Sequence, residues 1–189
     1  MRLFVALALP DEVASILALI QSGVPGARWS NRDQLHLTLR FIGEVDGRVA
    51  AAVDDALSAV RAPGFRLTIK SVGQFGGRNP SAIWAGVEQN PKLTHLQRKI
   101  ESALQRAGLR AETRRFSPHI TLARLRGSPG AKVIAYLAEH SLFSIPPIDV
   151  RGYILYSSVT TPSGSLYRAE RAYPLDVANH QGDPNAEKA

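Results

Sequence analysis

The chain has 189 residues, 44% of them hydrophobic, which is enough to bury the core of one domain or of two small lobes. Its formal net charge of +7 favours an anionic partner such as RNA, a nucleotide or another phosphate ester. The chain contains no cysteine, which excludes disulfides, thiolate metal sites and a cysteine nucleophile, and which fits a reducing cytoplasm. No stretch approaches the roughly 20 consecutive apolar residues of a membrane-spanning helix, so we expect no membrane partner.

The first ten residues allow two interpretations. An apolar run over residues 3–9 follows Arg2, an order also found at the start of secretory signals. The run is short for such a signal, and Pro10, Asp11 and Glu12 follow it and open an amphipathic helix. We therefore predict that residues 3–9 form a buried first strand.

Farther along the chain, apolar residues at helical spacing predict four helices. They cover about residues 11–21, a stretch after Asp46-Gly47, a stretch from Asn90-Pro91 to Gly108, and residues 133–138. Strands are predicted at 65–69 and 82–87, joined by a Gly-rich loop over 73–80, and near 150–156 and 166–173. The first half of the chain has the order strand, helix, motif strand, helix, strands. The second half has the order helix, motif strand, helix, strands, so the chain is predicted to consist of two similar halves.

Each half contains a similar short motif, QLHLTLR at 34–40 and SPHITLA at 117–123. Side chains alternate between the two faces of a β-strand, so His36 and Thr38 should share one face while the leucines anchor the strand from the other. The same alternation places His119 and Thr121 together. Each strand then presents an imidazole beside a hydroxyl, and we expect the two strands to face each other across a cleft.

One such motif could be an ordinary strand histidine beside a threonine, a good strand former. Its repetition at equivalent places favours a shared site instead. Two imidazoles with ordinary pKa values near 6.5 can divide the acid and base roles of phosphoryl transfer at neutral pH. The threonine hydroxyls can donate hydrogen bonds to the non-bridging phosphate oxygens.

A metal site is the competing interpretation of paired histidines. The sequence has no HExxH pattern, and neither motif contains an Asp or Glu, so we predict no metal and no cofactor. The other histidines, His95, His140 and His180, lack a paired context and are predicted to be solvent-facing or tail residues.

HLTL at 36–39 and HITL at 119–122 resemble the paired HxTx motifs of the two-histidine (2H) phosphoesterase superfamily. The neighbouring stretches are similar to the RNA 2′,3′-cyclic phosphodiesterase branch, also called 2′-5′ RNA ligase: RLFVALALP, HLTLRFIGEV, WAGV, FSPHITLAR and LYSS. The resemblance covers residues 1–177 and implies one bilobal α+β domain. Each of its two similar lobes would be an antiparallel sheet backed by helices, with the active-site cleft between them. Residues 178–189 are predicted to be a disordered tail.

The resemblance also implies an activity, metal-independent hydrolysis of RNA 2′,3′-cyclic phosphate ends to 2′-phosphates. His36 would be the proton donor to the leaving 3′ oxygen, and His119 would be the proton acceptor that activates water. Thr38 and Thr121 would hold the phosphate, and Arg124 would contact the substrate. The implied partner is RNA or a nucleotide with a 2′,3′-cyclic phosphate end, and we expect a cytoplasmic monomer.

Strict alternation disagrees with this role for Arg124, because it places Arg124 on the face of Ile120 unless the strand bulges or ends. Arg40 has the parity of the His36 face and is the competing phosphate ligand, although either arginine would be an ordinary surface charge by default. Phe41 is a candidate for stacking on a base, with core packing as the alternative. Trp29 and Trp84 are predicted to be structural.

Two other functions stay open at this point. The +7 charge and the expected cleft also fit a non-catalytic module that binds RNA ends. Cyclic-phosphate chemistry run in reverse would make the main activity an ATP-independent 2′-5′ RNA ligation.

Overall fold

The structure of the protein, a computed structural model, describes residues 1–161 and 164–177. Its α-helices are α1 (Asp11–Leu19), α2 (Gly47–Ser58), α3 (Pro91–Arg106) and α4 (Gly130–Glu139). Its strands are β1 (Arg2–Ala8), β2 (Ala27–Trp29), β3 (His36–Glu44), β4 (Phe65–Leu67), β5 (Ile69–Phe75), β6 (Ala82–Val87), β7 (His119–Leu125), β8 (Ile148–Val150), β9 (Gly152–Thr161) and β10 (Gly164–Pro174). The predicted tail and His180 lie outside the described residues.

The four predicted helices are confirmed, and local signals explain where two of them begin. The Asp46 side chain accepts a hydrogen bond from the Val49 amide at 2.8 Å and caps α2. The Asn90 side chain caps α3 by accepting hydrogen bonds from the next amides, at 3.0 Å from that of Lys92 and 3.1 Å from that of Leu93. Gly108 follows α3 with a φ of 92°, a conformation that favours glycine and ends the helix.

Most strands form one antiparallel sheet with the order β10-β9-β1-β3-β7-β6-β5, and β2 pairs with the free part of β7. β4 and β8 make a separate two-stranded sheet. The predicted buried first strand is confirmed, because β1 lies between β3 and β9 and its residues 3–7 are buried. Antiparallel strands combined with helices confirm the α+β class. No helix in the described ranges is both long enough and apolar enough to cross a membrane.

One face of the large sheet carries the core. Leu37 and Leu39 of β3, and Ile120 and Leu122 of β7, are buried in a single apolar cluster that also contains residues from all four helices. The opposite face carries the half-buried histidines and threonines of the two motifs. The alternation predicted from the sequence therefore holds as far as Thr38 and Thr121.

Immediately after each of these threonines the strand bulges. On the β1–β3 ladder, Ala6 pairs with Thr38 but Val5 pairs with Arg40, so Leu39 is left without a partner on β1. On the β6–β7 ladder, the corresponding unpaired residue is Leu122. The pairing pattern is the same in both ladders: the threonine is paired, the next leucine is unpaired, and the residue after the leucine is paired again. A bulge shifts the parity of the residues that follow it, and this shift decides which side chains reach the open face.

The predicted Gly-rich loop over 73–80 is wrong at its beginning, because β5 continues to Phe75. Gly73 pairs with Trp84 of β6, and a Cβ on Gly73 would lie 2.2 Å from the Trp84 ring. Glycine at this position therefore reflects the close approach of an indole to a strand rather than a turn.

Candidate active site

The two halves of the sheet meet at Leu37 of β3 and Ile120 of β7, the single pair that joins these strands in the described part of the chain. In an antiparallel ladder this register places His36 across from Thr121, and Thr38 across from His119, on the open face. The two histidines are then diagonal neighbours, a relationship with a Cα separation of about 7–8 Å in regular sheets. Because the strands pair at one position, they diverge on either side of it and leave a cleft.

Both imidazoles are oriented in the same way. His36 Nδ1 lies 2.7 Å from the carbonyl oxygen of Gln34, and His119 Nδ1 lies 2.7 Å from that of Ser117. A carbonyl oxygen can only accept, so Nδ1 carries the proton in each ring. Each neutral ring therefore has its lone pair on Nε2, where it can accept a proton, and each protonated ring can donate from Nε2.

Aromatic rings surround His36. Its ring centroid lies 4.9 Å from that of Phe4, 5.2 Å from that of Tyr167 and 6.3 Å from that of Tyr156. Burial lowers the pKa of His36, the Gln34 carbonyl opposes this by raising it, and the nearby charge of protonated His119 lowers it further. The two imidazoles are thus close enough for the charge of one to affect the protonation of the other.

His119 also contacts aromatic rings. The Phe75 ring is nearly perpendicular to that of His119 at a centroid distance of 4.8 Å, and the Trp84 centroid lies 6.4 Å away. Sequence patterns did not identify Phe75, which lies within the predicted loop over 73–80, or Tyr167 as part of the site. Tyr156 lies within LYSS, one of the stretches similar to the phosphodiesterase branch. Trp84 was expected to be structural, and its packing on Gly73 agrees with that, while its ring also borders His119.

The bulge after Thr121 brings Arg124 to the open face. Arg124 pairs with Ala82, which stands two residues from Trp84 on the regular strand β6, and Trp84 pairs with Thr121. Cross-strand partners share a face, so Arg124 lies on the same face as Thr121 and is exposed. The parity objection to a role for Arg124 in the cleft is therefore overturned by the bulge.

Phe41 is placed on the open face by the bulge after Thr38. It pairs with Phe4, whose ring centroid is 6.2 Å away, and 48% of its surface is exposed. The alternative that Phe41 packs in the core is wrong for the same reason. The structure thus leaves its ring available at the edge of the cleft.

The expectation that Arg40 shares the face of His36 is wrong. Arg40 pairs with the core residue Val5, is buried, and donates from Nε to the Glu101 carboxylate of α3 at 2.5 Å. Its Nη2 donates to the Arg110 carbonyl at 2.6 Å, and its Nη1 lies 3.6 Å from the Glu112 carboxylate. Arg40 therefore ties α3 and the following segment to the sheet and does not reach the cleft.

A cavity of about 430 Å³ opens beside His36, and His119 does not line it. Its lining combines the Tyr156 and Tyr167 rings with charged residues, namely Asp11, Arg32 and Asp33. The volume falls within the range of small-molecule pockets. The cleft therefore has additional space on the His36 side.

The remaining predictions concern metal ligands and histidines. Within residues 1–161 and 164–177, no three His, Asp or Glu side chains come together as a metal site requires. His95 is exposed, as predicted. His140 is half-buried against Tyr136, at a ring-centroid distance of 4.5 Å, so the expectation that it faces solvent is wrong.

Comparison with known proteins gives a consistent family. A model of the 2′-5′ RNA ligase superfamily matches residues 9–150. An RNA 2′,3′-cyclic phosphodiesterase of Archaeoglobus fulgidus is 30% identical over 92% of this chain and 99% of its own length. The protein of the same name in Thermotoga maritima is 32% identical over 89% of this chain and 92% of its own length.

A solved structure also matches nearly the whole chain. It is that of Escherichia coli LigT complexed with 3′-AMP, with a TM-score of 0.74 and 31% sequence identity. The match covers 92% of this chain and 97% of LigT.

Proposed function

The chain belongs to the 2′-5′ RNA ligase superfamily, and on that premise we propose that it hydrolyses RNA 2′,3′-cyclic phosphate ends to 2′-phosphates without a metal ion. The observation that carries the proposal is the meeting of two identically oriented histidines, each with a threonine, at the junction of the two half-sheets. The two relatives described above are named RNA 2′,3′-cyclic phosphodiesterases, which supports the substrate class. We expect the protein to act as a monomer.

The proposed reaction uses one proton transfer on each side of the phosphorus. His119, neutral, accepts a proton at Nε2 from a water molecule as the water oxygen bonds to phosphorus. His36, protonated, gives its Nε2 proton to the ribose 3′ oxygen as the bond between phosphorus and that oxygen breaks. The products are a 2′-phosphate and a free 3′-hydroxyl, and solvent returns both imidazoles to their starting protonation states. Positioned proton transfers of this kind each contribute about 10²–10⁴-fold.

Three other side chains accommodate the charge of the reacting phosphate. Thr38 and Thr121 flank the diagonal formed by the two histidines and have hydroxyl donors for the non-bridging oxygens. Arg124 reaches the same face by the bulge and supplies a fixed positive charge with several N–H donors. Donors already in place for the developing charge stabilise the transition state with little reorganisation.

The role of His36 as the acid depends on the substrate. Burial and the charge of His119 lower the pKa of His36 in the free protein, which favours its neutral form. A phosphodiester anion bound between the rings opposes both effects, because its negative charge stabilises the imidazolium. Substrate binding would therefore raise the pKa of His36 and favour the protonated form that the acid role requires.

Product analysis tests the proposal. A synthetic RNA ending in a 2′,3′-cyclic phosphate is incubated with the protein in excess EDTA, and the products are identified by ³¹P NMR and mass spectrometry. We expect the 2′-phosphate, and we expect His36→Ala and His119→Ala each to abolish turnover. His140→Gln, on a histidine outside both motifs, is the matched control and should remain active. Undiminished turnover in either motif variant contradicts the mechanism, and RNA binding without turnover by the wild type would indicate a binding module instead.

Ligation is a second candidate because the matching family model is named for it. In that reaction the 5′-hydroxyl of another RNA would take the place of water, and the same two histidines would serve. An assay with two RNA fragments, one ending in a cyclic phosphate and the other in a 5′-hydroxyl, separates the two reactions. Formation of a 2′-5′ linkage faster than hydrolysis would make ligation the main activity.

A further inference from the structure

A groove beside α3 is lined mainly by cations. It has a volume of about 610 Å³ and lies between the C-terminal end of α2 and the exposed side of α3. It is lined by Ala59, Val60, Arg61, His95, Arg98, Lys99, Ser102 and Arg106. None of these lining residues is acidic. We refer to this feature as the α3 groove.

The positive charge of the α3 groove is not neutralised by ion pairs. Arg98, Lys99 and Arg106 are exposed, and none of them forms a salt bridge within the described part of the chain. Cations gathered in one groove repel each other, and a bound anion relieves that repulsion. The groove is therefore suited to an anionic ligand.

The acids closest along the two helices do not change this balance. Glu101 of α3 points inward, where its carboxylate accepts hydrogen bonds from Arg40, from Gln105 and from the Glu112 amide. Asp55 lies one turn before Ala59 on α2 and is a single exposed carboxylate. One acid at the edge leaves the groove strongly positive.

Arg61 has a fixed place at one wall of the groove. Its Nη1 donates to the carbonyl oxygens of Ser58 at 2.7 Å and of Val60 at 3.1 Å, at the end of α2. These bonds hold the guanidinium and use one of its nitrogens. The remaining donors can be offered to a ligand with little loss of side-chain freedom.

The positive charge continues from the α3 groove to the catalytic cleft. Residues 107–118 lead from the end of α3 to His119, and they carry the exposed arginines Arg110, Arg114 and Arg115. Arg114 is paired with Glu112, so the net positive charge of this segment comes from Arg110 and Arg115. The guanidinium carbon of Arg114 lies 5.9 Å from the centroid of the Phe41 ring, at the edge of the cleft. We call the α3 groove together with these three arginines the basic track.

The connecting segment is anchored rather than loose. Arg114 Nη2 donates to the Glu112 carboxylate at 2.9 Å, and the buried Arg40 donates to the Arg110 carbonyl at 2.6 Å. The first bond holds the segment's own turn, and the second attaches the segment to β3. The segment therefore provides a defined route from the α3 side of the molecule to the open face that holds the histidines.

We propose that the basic track binds the phosphodiester backbone of the RNA strand whose 3′ end occupies the cleft. The inference rests on the proposed function for the identity of that end. From His95 to Arg106 the helix extends about 16 Å, given a rise of roughly 1.5 Å per residue. A single RNA strand laid along this length would present several of its phosphates to the cations.

RNA fits the track better than an acidic protein does. Most of the cations are arginines, whose planar fork matches phosphate oxygens in pairs. The track also ends at Phe41, an exposed aromatic ring of the kind on which bases stack. Its continuity with the cleft gives the strand one direction, from the α3 groove to the histidines.

The test compares a long and a short substrate. A variant combining Arg98→Gln, Lys99→Gln and Arg106→Gln removes three exposed charges, and a second combining Arg48→Gln, Lys132→Gln and Arg151→Gln removes the same charge elsewhere. The kcat/KM is measured for a 15-nucleotide RNA with a 2′,3′-cyclic phosphate end and for adenosine 2′,3′-cyclic phosphate. The affinity for the same RNA ending in a 3′-hydroxyl is measured by fluorescence anisotropy at several salt concentrations.

We expect the first variant to lose at least tenfold in kcat/KM and in affinity for the RNA, and to keep its kcat/KM for the mononucleotide. Its slope of log affinity against log salt should be shallower by about 2, since each neutralised phosphate on a single strand contributes roughly 0.7. The second variant should retain most of its affinity and activity.

Equal losses in the two variants, or no loss in the first, would overturn the proposal, as would tighter binding of polyglutamate than of RNA. One outcome is that the wild type hydrolyses the mononucleotide while the two variants have equal affinity and activity with the RNA. In that case the proposed role of the basic track is wrong and the proposed function stands. If the wild type hydrolyses neither substrate, the proposed function fails, and the anisotropy comparison still decides whether the track binds RNA.

Discussion

Phe41 and Arg124 occupy the same position in the two halves of the sheet, each five residues beyond a motif histidine and just past a bulge. Both side chains therefore lie on the open face, one presenting an exposed aromatic ring and the other a positive charge. This difference between equivalent positions gives the cleft two unlike ends. It suggests that Phe41 contacts a base and that Arg124 contacts the phosphate.

For Phe41→Leu we expect a higher KM and an unchanged kcat with adenosine 2′,3′-cyclic phosphate. Stacking of a base on an aromatic ring is worth about 1–3 kcal/mol, so KM should rise by about 5- to 150-fold. The readout is steady-state kinetics. Ribose 2′,3′-cyclic phosphate, which has no base, is the control substrate, and an equal rise in KM with it would exclude stacking.

Arg124→Gln and Arg40→Gln should have opposite effects. Arg124 is exposed on the cleft face, so its substitution should lower kcat/KM by about 10²-fold, as for loss of one transition-state donor, with no change in Tm. Arg40 is buried against Glu101, and removing one partner of a buried ion pair should lower the free energy of unfolding by about 3–5 kcal/mol. Urea denaturation and kinetics on both variants check this. A stable, poorly active Arg40→Gln would reverse the assignment.

The Arg40 cluster also predicts how acid affects stability. Hydrogen bonds from Arg114 lower the pKa of Glu112 to about 2, and hydrogen bonds from Gln105, the Glu112 amide and Arg40 lower the pKa of Glu101 despite its partial burial. Carboxylates with lowered pKa values stabilise the fold above their ordinary pKa, and that contribution is lost as the pH falls toward the folded-state value. The free energy of unfolding should therefore decrease below about pH 4.3. Glu101→Gln should weaken this dependence, and an unchanged dependence would contradict it.

The lowered pKa of His36 leads to a second prediction for how the free energy of unfolding depends on pH. Its pKa is lowered in the folded protein, so the unfolded chain takes up the proton more readily as the pH falls through about 6.5. The free energy of unfolding should decrease between pH 7.5 and pH 5.5, and less so in His36→Asn. Proton NMR titration should give a pKa for His36 below that of a model imidazole, and adding adenosine 2′-phosphate should raise it. A pKa at or above the ordinary value in the free protein would contradict the account.

Gly73→Ala should disturb the His119 side of the cleft. The added Cβ would lie 2.2 Å from the Trp84 ring, so the indole must move, and overpacking of this kind costs about 1–3 kcal/mol. We expect a lower Tm, a changed near-UV circular dichroism spectrum and a lower kcat. Gly47→Ala is the control, because a Cβ there meets nothing within 4 Å at the start of α2. Equal Tm values for the two variants would show that Trp84 is not fixed by Gly73.

Alternation of apolar and polar residues predicted the faces of both motif strands correctly up to the threonines. It failed two residues later, at Arg40 and Ala123, because the bulges occur at Leu39 and Leu122, which alternation already places in the core. Arg40 was therefore assigned to the wrong face. The alternation of apolar and polar residues along one strand contains no information about where the neighbouring strand leaves a residue unpaired.

The aromatic residues around His36 could not be predicted from local sequence patterns, for a different reason. Tyr156 and Tyr167 reach His36 from β9 and β10, more than a hundred residues away along the chain. Their position follows from the strand order β10-β9-β1-β3, which long-range packing decides. Local periodicity identified the helices and the strands, but it contains no information about that order.

The central claim is that the Nε2 atoms of His36 and His119 act on opposite sides of one phosphorus atom. A crystal structure with a nucleoside 2′,3′-cyclic vanadate, which mimics the five-coordinate transition state, tests it most directly. We predict that His36 Nε2 lies within about 2.6–3.2 Å of the 3′ oxygen and His119 Nε2 within the same distance of the opposite apical oxygen. A vanadate that contacts only one of the two rings, or that has both rings on the same side, would contradict the account.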